Sequence, residues 1–328
     1  MTAGLRGRWG PKYEAARPLV LWALLAASAA LHASEGTCTL GALTAPDLVI
    51  EDARPVRFEK DITRKAMAHT AADPAAFRIK VRRAGAGVSS FNNEPRYELA
   101  AYELSRLLFP ADEQVVPPIA LRSAPLDAFR RIDPAAVEAW SGTDGTFYMV
   151  QCWLDGAKPH PLRIDGPRFA ADPAYARAIS RLNVLTYLVE HKDSNLGNVM
   201  LTGEGATVRA WAIDNGVAFD SEESDVGTFW KNLRVDAVDR VLADRLHALT
   251  LGELRAHLAV IAQYELVGEA WVSRPDSANF DALRGVRRKG GQVQLGLTSK
   301  EIGEVERRRV RLVHRIDKGD IRILPDAS

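Results

Sequence analysis

The stretch LVEHKDSNLGNVML, residues 188–201, with AIDNGVAF at 212–219 just downstream, decides how the chain is read. An amphipathic helix leads into it. Asp172-Pro173 suits an N-cap and first helical position, and Ala176, Ile179, Leu182, Leu185 and Val189 fall at helical spacing up to about Glu190. After it, NVMLT and TVRAWAI are short apolar strands joined by Gly203-Glu204-Gly205, which predicts a β-hairpin. A hairpin returns the chain to its starting point. Asn198 opens the first strand and Asp214 closes the second, so both belong at the open end, and Asp193 lies in the loop just before.

Three oxygen-bearing side chains therefore converge. Hard oxygen donors suit Mg²⁺, which takes one or two carboxylates together with substrate phosphates. Phosphoryl transfer uses such a set: one acid orients or deprotonates the attacking hydroxyl, while an Asn and a second Asp hold the metal. In that role Asp193 is the catalytic residue and Asn198 and Asp214 are the metal ligands, with Gly197 and Gly216 leaving room for a bulky ligand. A calcium loop beginning at Asp193 would place Asn195 at position three and Glu204 at position twelve. It would also put Gly197 at five and Asn198 at six, where an oxygen ligand and a glycine are needed. A plain polar turn, with Asp and Asn capping backbone groups, is the other alternative.

The first half reads differently. DLVIED, PVRFEKDI and AFRIKVRR are short and β-rich, and the last alternates Phe77, Ile79 and Val81 against Arg78, Lys80 and Arg82. EPRYELAAYELSRLLF predicts an amphipathic helix through Tyr97, Ala101, Leu104 and Leu108. VVPPIALR must be extended because paired prolines exclude helix, and TFYMVQCWLDG predicts a further strand. Phosphoryl transfer also needs a cation on the phosphates and an acid to orient it. Lys80 is the best candidate for the cation. Among Glu94, Glu98 and Glu103, the mid-helix Glu98 is favoured for the acid. The segment ahead of Lys80, AHTAADP, holds no glycine-rich loop.

YELAAYELSRLLF, VVPP, HKDSNLGNVML and AIDNGVAF together resemble the atypical kinases grouped around the secretory-pathway (Golgi casein) kinases and the type II phosphatidylinositol 4-kinases. The likeness covers about residues 75–220. It implies ATP as phosphate donor with Mg²⁺ or Mn²⁺, Lys80 on the phosphates, Glu98 as its helix partner, and Asp193, Asn198 and Asp214 in the roles above. It also implies a hinge at VQCWLDG, where Gln151, Cys152 and Trp153 hold adenine through backbone groups. The resulting expectation is an α+β, two-lobed, protein-kinase-like fold. Its N-lobe (47–157) is an antiparallel sheet plus one helix. Its C-lobe (158–328) is mainly helical, with a catalytic β-hairpin and helices at about 235–249, 251–265 and 299–316. The acceptor is expected to be a protein or lipid hydroxyl. A pseudokinase binding or scaffold module and a small-molecule phosphotransferase are the competing readings.

Composition is that of an ordinary globular chain, and the formal net charge of +1 gives no global field for nucleic acid, so no nucleic-acid partner is expected. A monomer is expected. Arg6, Arg8, Lys12 and Arg17 precede an uncharged apolar run, Pro18 to Ala33, which describes a signal peptide (residues 1–33) followed by a tail (34–46). Export to a periplasmic or secreted location is expected, with a membrane anchor through residues 18–33 as the alternative, although that run is short of the ~20 residues that span a bilayer. Only two cysteines occur, Cys38 and Cys152, and both a bridge and two unrelated thiols are open. The C-terminal helix is basic, through Arg307, Arg308, Arg309, Arg311 and Arg315. It offers either an anionic docking surface or a solvated face balanced by Glu301, Glu304 and Glu306.

Overall fold

The computed structural model describes residues 36–57, 59, 61–89, 94–193, 196–219 and 234–325. The proposed signal peptide lies outside the described residues. No helix among them is long and apolar enough to cross a membrane.

The first half builds a five-stranded antiparallel sheet from β1 (Val49–Pro55), β2 (Thr63–His69), β3 (Phe77–Arg83), β4 (Ile119–Pro125) and β5 (Gly145–Cys152), in the order β1-β2-β3-β5-β4. A short helix α1 (Leu40–Thr44) precedes it, and α2 (Pro95–Leu108) joins β3 to β4. The expected alternation in β3 holds: Phe77, Ile79 and Val81 are buried on one face against Leu43, Phe129 and Val150. Helix α2 carries Pro95 in its first turn and buries Tyr97, Ala101, Leu104 and Leu108, as its spacing requires. A small helix α3 (Leu126–Arg130) follows β4.

Cys38 and Cys152 form a disulfide across 114 residues, which resolves the choice left open by the sequence. The bridge fastens the segment ahead of α1 to the end of β5.

Beyond β6 (Lys158–Pro159) and α4 (Gly166–Ala171), helix α5 (Pro173–Val189) is capped as expected. The Asp172 carboxylate accepts the N–H groups of Ala174 at 3.1 Å and Tyr175 at 3.0 Å. It ends on Glu190 in the left-handed region. The hairpin of β7 (Val199–Thr202) and β8 (Arg209–Ala212) follows, in the register Val199↔Ala212.

The remainder departs from the mainly helical expectation. A two-residue strand β9 (Ala237–Val238) precedes α6 (Arg240–Ala248), and α7 (Leu251–Leu258) is shorter than expected. Residues 262–265, expected in helix, start the first strand of a four-stranded antiparallel sheet. It comprises β10 (Ala262–Val267), β11 (Ala270–Arg274), β12 (Val286–Lys289) and β13 (Gln292–Leu295), in the order β11-β10-β13-β12. Two tight turns cause this. Gly268-Glu269 and Gly290-Gly291 each close a hairpin, and Gly268 and Gly290 take the positive φ that such turns require. Helix α8 (Ser299–Asp317) opens with the expected capping box: Thr298 and Glu301 exchange side-chain and backbone hydrogen bonds of 2.7 and 3.2 Å. A last strand β14 (Arg322–Ile323) pairs in parallel with β9.

The second sheet leans on the first through aromatic side chains. Trp271 of β11 sits between Trp140 and Phe147, with centroids 5.1 and 5.8 Å away, and the Tyr264 hydroxyl donates to the Leu121 carbonyl at 2.6 Å. Gly145 is required there, since a Cβ would stand 2.4 Å from the Trp271 ring. One hydrophobic core runs from α2 through α5 to α8, and a smaller one lies on the other face of the first sheet, under the disulfide.

Closing a loop of this length removes on the order of 4–5 kcal/mol of unfolded-chain entropy in the chain-entropy model. Reduction, or Cys38→Ser with Cys152→Ser, is therefore expected to lower the unfolding free energy by a few kcal/mol and with it the denaturant midpoint. Equilibrium unfolding in urea with and without reductant measures it, and an unchanged midpoint would show that the bridge adds no stability.

Candidate functional site

Lys80 and Arg82 stand two residues apart on β3 and project from the same face of the strand, because side chains alternate. Facing them are Glu98 in the first turn of α2, rather than mid-helix as the sequence suggested, and Asp214 just past β8. Lys80 pairs with Asp214. Arg82 forks between the two acids: one nitrogen reaches Glu98 at 3.2 Å and another reaches Asp214 at 2.9 Å. Its Nε donates to Thr63 at 3.2 Å. The second oxygen of Glu98 accepts the backbone N–H of Asn215 at 3.0 Å, so α2 grips the residue that follows Asp214. The Glu94 N–H adds a bond to the Gly216 carbonyl at 3.1 Å.

Burial raises the cost of each charge, and the pairing decides which charges persist. Burial would raise Asp214, but Lys80 and Arg82 hold it well below the usual carboxylate range. Glu98 is almost completely buried, and burial pushes its pKa up in spite of Lys80 and Arg82. Arg57, in the connection between β1 and β2, also bears on Asp214. That connection, which contains no glycine, brings a cation toward the site.

The hairpin does what its sequence predicts. The Ile213 N–H donates to the Asn198 carbonyl at 3.0 Å, which sets Asn198 beside the segment carrying Asp214. Asn198 is buried, and its Nδ2 donates to the Asp193 carbonyl at 3.1 Å. The amide nitrogen is thereby committed, and the oxygen is what the side chain has left as a ligand. A Cβ on Gly197 would meet nothing within 4 Å, so open space adjoins the loop. Asp193 is half-buried. The neighbouring Lys192 N–H donates to the Val217 carbonyl at 2.9 Å, which lays the loop alongside the segment after Asp214. The donor set is one firmly ionised carboxylate, one oriented amide oxygen and a nearby second carboxylate. It fits a hard divalent ion such as Mg²⁺ or Mn²⁺ better than a soft one. No group of three or more His, Cys, Asp or Glu side chains arranged to hold a metal occurs among the described residues.

Two expectations change. Glu98 is held by Arg82 rather than by Lys80, whose partner is Asp214. Arg82 was legible in the sequence, since the alternation that exposes Lys80 also aligns Arg82. The adenine hinge fares differently. The Cys152 N–H donates to the Pro118 carbonyl at 2.9 Å and the Trp153 N–H to the Arg78 carbonyl at 3.1 Å, so both donors are spent on the sheet. Gln151 is paired on both sides, with Lys80 and Ile119, and the Cys152 sulfur is in the disulfide. Trp153 instead stacks under Lys65, whose ammonium lies 4.6 Å from the ring centroid.

His191, directly before the Asp193 loop, is buried. Burial pushes its pKa down to about 4, against the opposing pull of Asp193. A neutral buried imidazole stabilises the fold fully above its ordinary value of about 6.5, and that stability is lost as pH falls from there toward 4. Unfolding free energy is expected to drop on the order of 2–3 kcal/mol across this window. His191→Gln should flatten the drop when denaturant unfolding is followed at several pH values, and an unchanged slope would assign the loss to other groups.

No protein-family model matches the chain, and no curated protein does. Among solved structures it is similar to the Drosophila melanogaster PAN3 pseudokinase, at 12% identity and a TM-score of 0.26. The match covers 65% of this chain and 53% of that one, so the chain spans about half the length of that structure.

Proposed function

We propose that the chain is a kinase-like phosphotransferase that moves the γ-phosphate of ATP to a protein or lipid hydroxyl with Mg²⁺ or Mn²⁺. The observation that carries this reading is the convergence of Lys80 and Arg82 from β3, Asp214 and Asn198 from the ends of one hairpin, and Asp193 from the loop before it. In the ligand-free network Lys80 and Arg82 neutralise Asp214. Nucleotide phosphates would give the two cations new partners, and Asp214 with the Asn198 amide oxygen would hold the metal. The metal supplies charge neutralisation across the phosphates. Asp193 accepts the proton of the acceptor hydroxyl as its oxygen bonds to the γ-phosphorus. The bond from that phosphorus to the bridging oxygen breaks, and ADP leaves. Arg82 holds one oxygen of Glu98 while the other accepts the Asn215 N–H, and this fixes where Asp214 stands.

On this reading residues 47–157 and 158–328 act as the two lobes. Export is part of the proposal and is supported by the Cys38–Cys152 bridge, since disulfides persist mainly in oxidising compartments.

A pseudokinase binding module is the second reading. Two observations favour it: Asp214 is already paired with two cations, and the N–H groups of Cys152 and Trp153 are engaged within the fold.

ATP with Mg²⁺ or Mn²⁺ is expected to raise the melting temperature of the purified chain, and Lys80→Met should abolish the rise. Asp193→Ala is expected to cut phosphate transfer to acceptor roughly 10²–10⁴-fold while nucleotide binding persists. Turnover that Asp193→Ala and Asp214→Ala both leave unchanged would overturn the catalytic assignment. Nucleotide binding without turnover in the unmodified chain would establish the binding module instead.

A further inference from the structure

A second cavity, of about 740 Å³, lies between helix α5, the residues around β9 and helix α8. Its walls carry six cations: Lys192, Arg234, Arg307, Arg308, Arg311 and Arg315. They carry two acids, and both are occupied. Glu190 is held by Arg308 at 2.9 Å, and Asp236 lies 3.5 Å from Arg322. Arg308 and Arg307 are thus paired, with Glu190 and Glu304, and two lining acids against six lining cations leave a positive excess.

The arginines of α8 are ordered by the helix itself. Positions 307, 308, 311 and 315 fall within an arc of about 100° over about 12 Å of axis, so they form one stripe. The expectation of a solvated face balanced by Glu301, Glu304 and Glu306 holds only in part. Glu304 and Glu306 do pair with Arg307 and Arg309. Glu301 instead turns inward, where Arg96 meets it at 2.8 Å and the Tyr97 hydroxyl at 2.6 Å. Arg311 and Arg315 make no side-chain hydrogen bond or ion pair among the described residues.

Arg308 gives the independent indication. Its side chain is more than nine-tenths buried, with Nε donating to the Leu188 carbonyl at 2.8 Å and Nη1 to Glu190. Its Nη2 is buried and has no hydrogen-bond partner. Arg308 lines the cavity, and a buried guanidinium nitrogen left unpaired costs free energy that any acceptor brought within reach would recover.

We infer that this arginine-lined cavity is a binding site for a soluble small molecule bearing two or more phosphate groups. Guanidinium forks match phosphate oxygens two at a time, and the length of the stripe exceeds what a single phosphate engages. The volume lies in the range of small-molecule sites. Lys192 and His191 line this cavity and directly precede Asp193 in the chain. The inference does not depend on phosphotransfer and stands for a pseudokinase as well.

The test titrates the full chain calorimetrically with inorganic phosphate, pyrophosphate and inositol hexakisphosphate, and with vesicles containing a phosphatidylinositol bisphosphate. Pyrophosphate or inositol hexakisphosphate is expected to bind at least tenfold more tightly than phosphate. Arg311→Gln with Arg315→Gln should weaken that binding at least tenfold without changing the melting temperature of the ligand-free chain. Arg255→Gln with Lys289→Gln removes equal charge from exposed positions outside the cavity and should leave it unchanged, as should Lys80→Met. Four results would overturn the inference: no binding of either polyphosphate at millimolar concentration; equal losses in the two charge-matched variants; loss with Lys80→Met alone, which places the ligand with the nucleotide; or binding to vesicles without binding to soluble polyphosphate.

Discussion

Four ionisable side chains meet in the low-dielectric space between β3, α2 and the end of the hairpin, and each depends on the others for its partners. Two cations, Lys80 and Arg82, face two carboxylates, Asp214 and Glu98, and Arg82 touches both. Removing one member of such a set leaves an unbalanced charge in the interior, which is far more costly than never having buried it. The network thus imposes a constraint on everything around it. β3 must present its cations toward α2, α2 must place its first turn opposite them, and the hairpin must deliver Asp214 between the two. The Asn215 N–H bound to Glu98 and the Gly216 carbonyl bound to the Glu94 N–H hold that delivery in place.

The constraint is carried outward by further pairings. Arg96 and Tyr97, next to Glu98 on α2, clamp Glu301 at the start of α8, and Arg308 farther along α8 donates to the Leu188 carbonyl near the end of α5. The helix that positions the acid, the helix that leads into the Asp193 loop and the terminal helix are therefore tied by buried arginines as well as by the hydrophobic core. A displacement of α8 would be felt at both ends of the site.

Much of this was legible in the sequence where periodicity and turn chemistry spoke together. The alternation in FRIKV, the Asp172-Pro173 cap, the hairpin about Gly203 and Gly205, and the Thr298–Glu301 box all appear where their residues place them. Misreadings arose where a local signal was ambiguous or where a partner lay far along the chain. AQYELV fits a helix as well as a strand until the Gly268 turn is given its weight. Alternation aligned Lys80 and Arg82 on one face, but that Arg82 rather than Lys80 pairs with Glu98 needed a three-dimensional distance that no spacing supplies. At the proposed hinge, pairing with Pro118 and Arg78 engages the N–H groups of Cys152 and Trp153, and those partners are 34 and 75 residues upstream of them. The arginine stripe on α8 was visible as composition. Its turn toward a cavity rather than solvent was not, because the sequence does not say which face of α8 meets α5.

The bridge between Cys38 and Cys152 also divides the molecule in a way that its shape does not show. Residues 38 to 152 form a closed covalent ring that contains the whole first sheet, α2, and with them Lys80, Arg82 and Glu98. Asp193, Asn198 and Asp214 all lie outside it. A chain made from its amino end completes every residue of the ring before any of the three is synthesised, so the cationic wall can be sealed before the acidic wall exists. A single backbone cut inside the ring releases nothing, whereas a cut between residues 153 and 192 leaves the two walls joined only by non-covalent contacts.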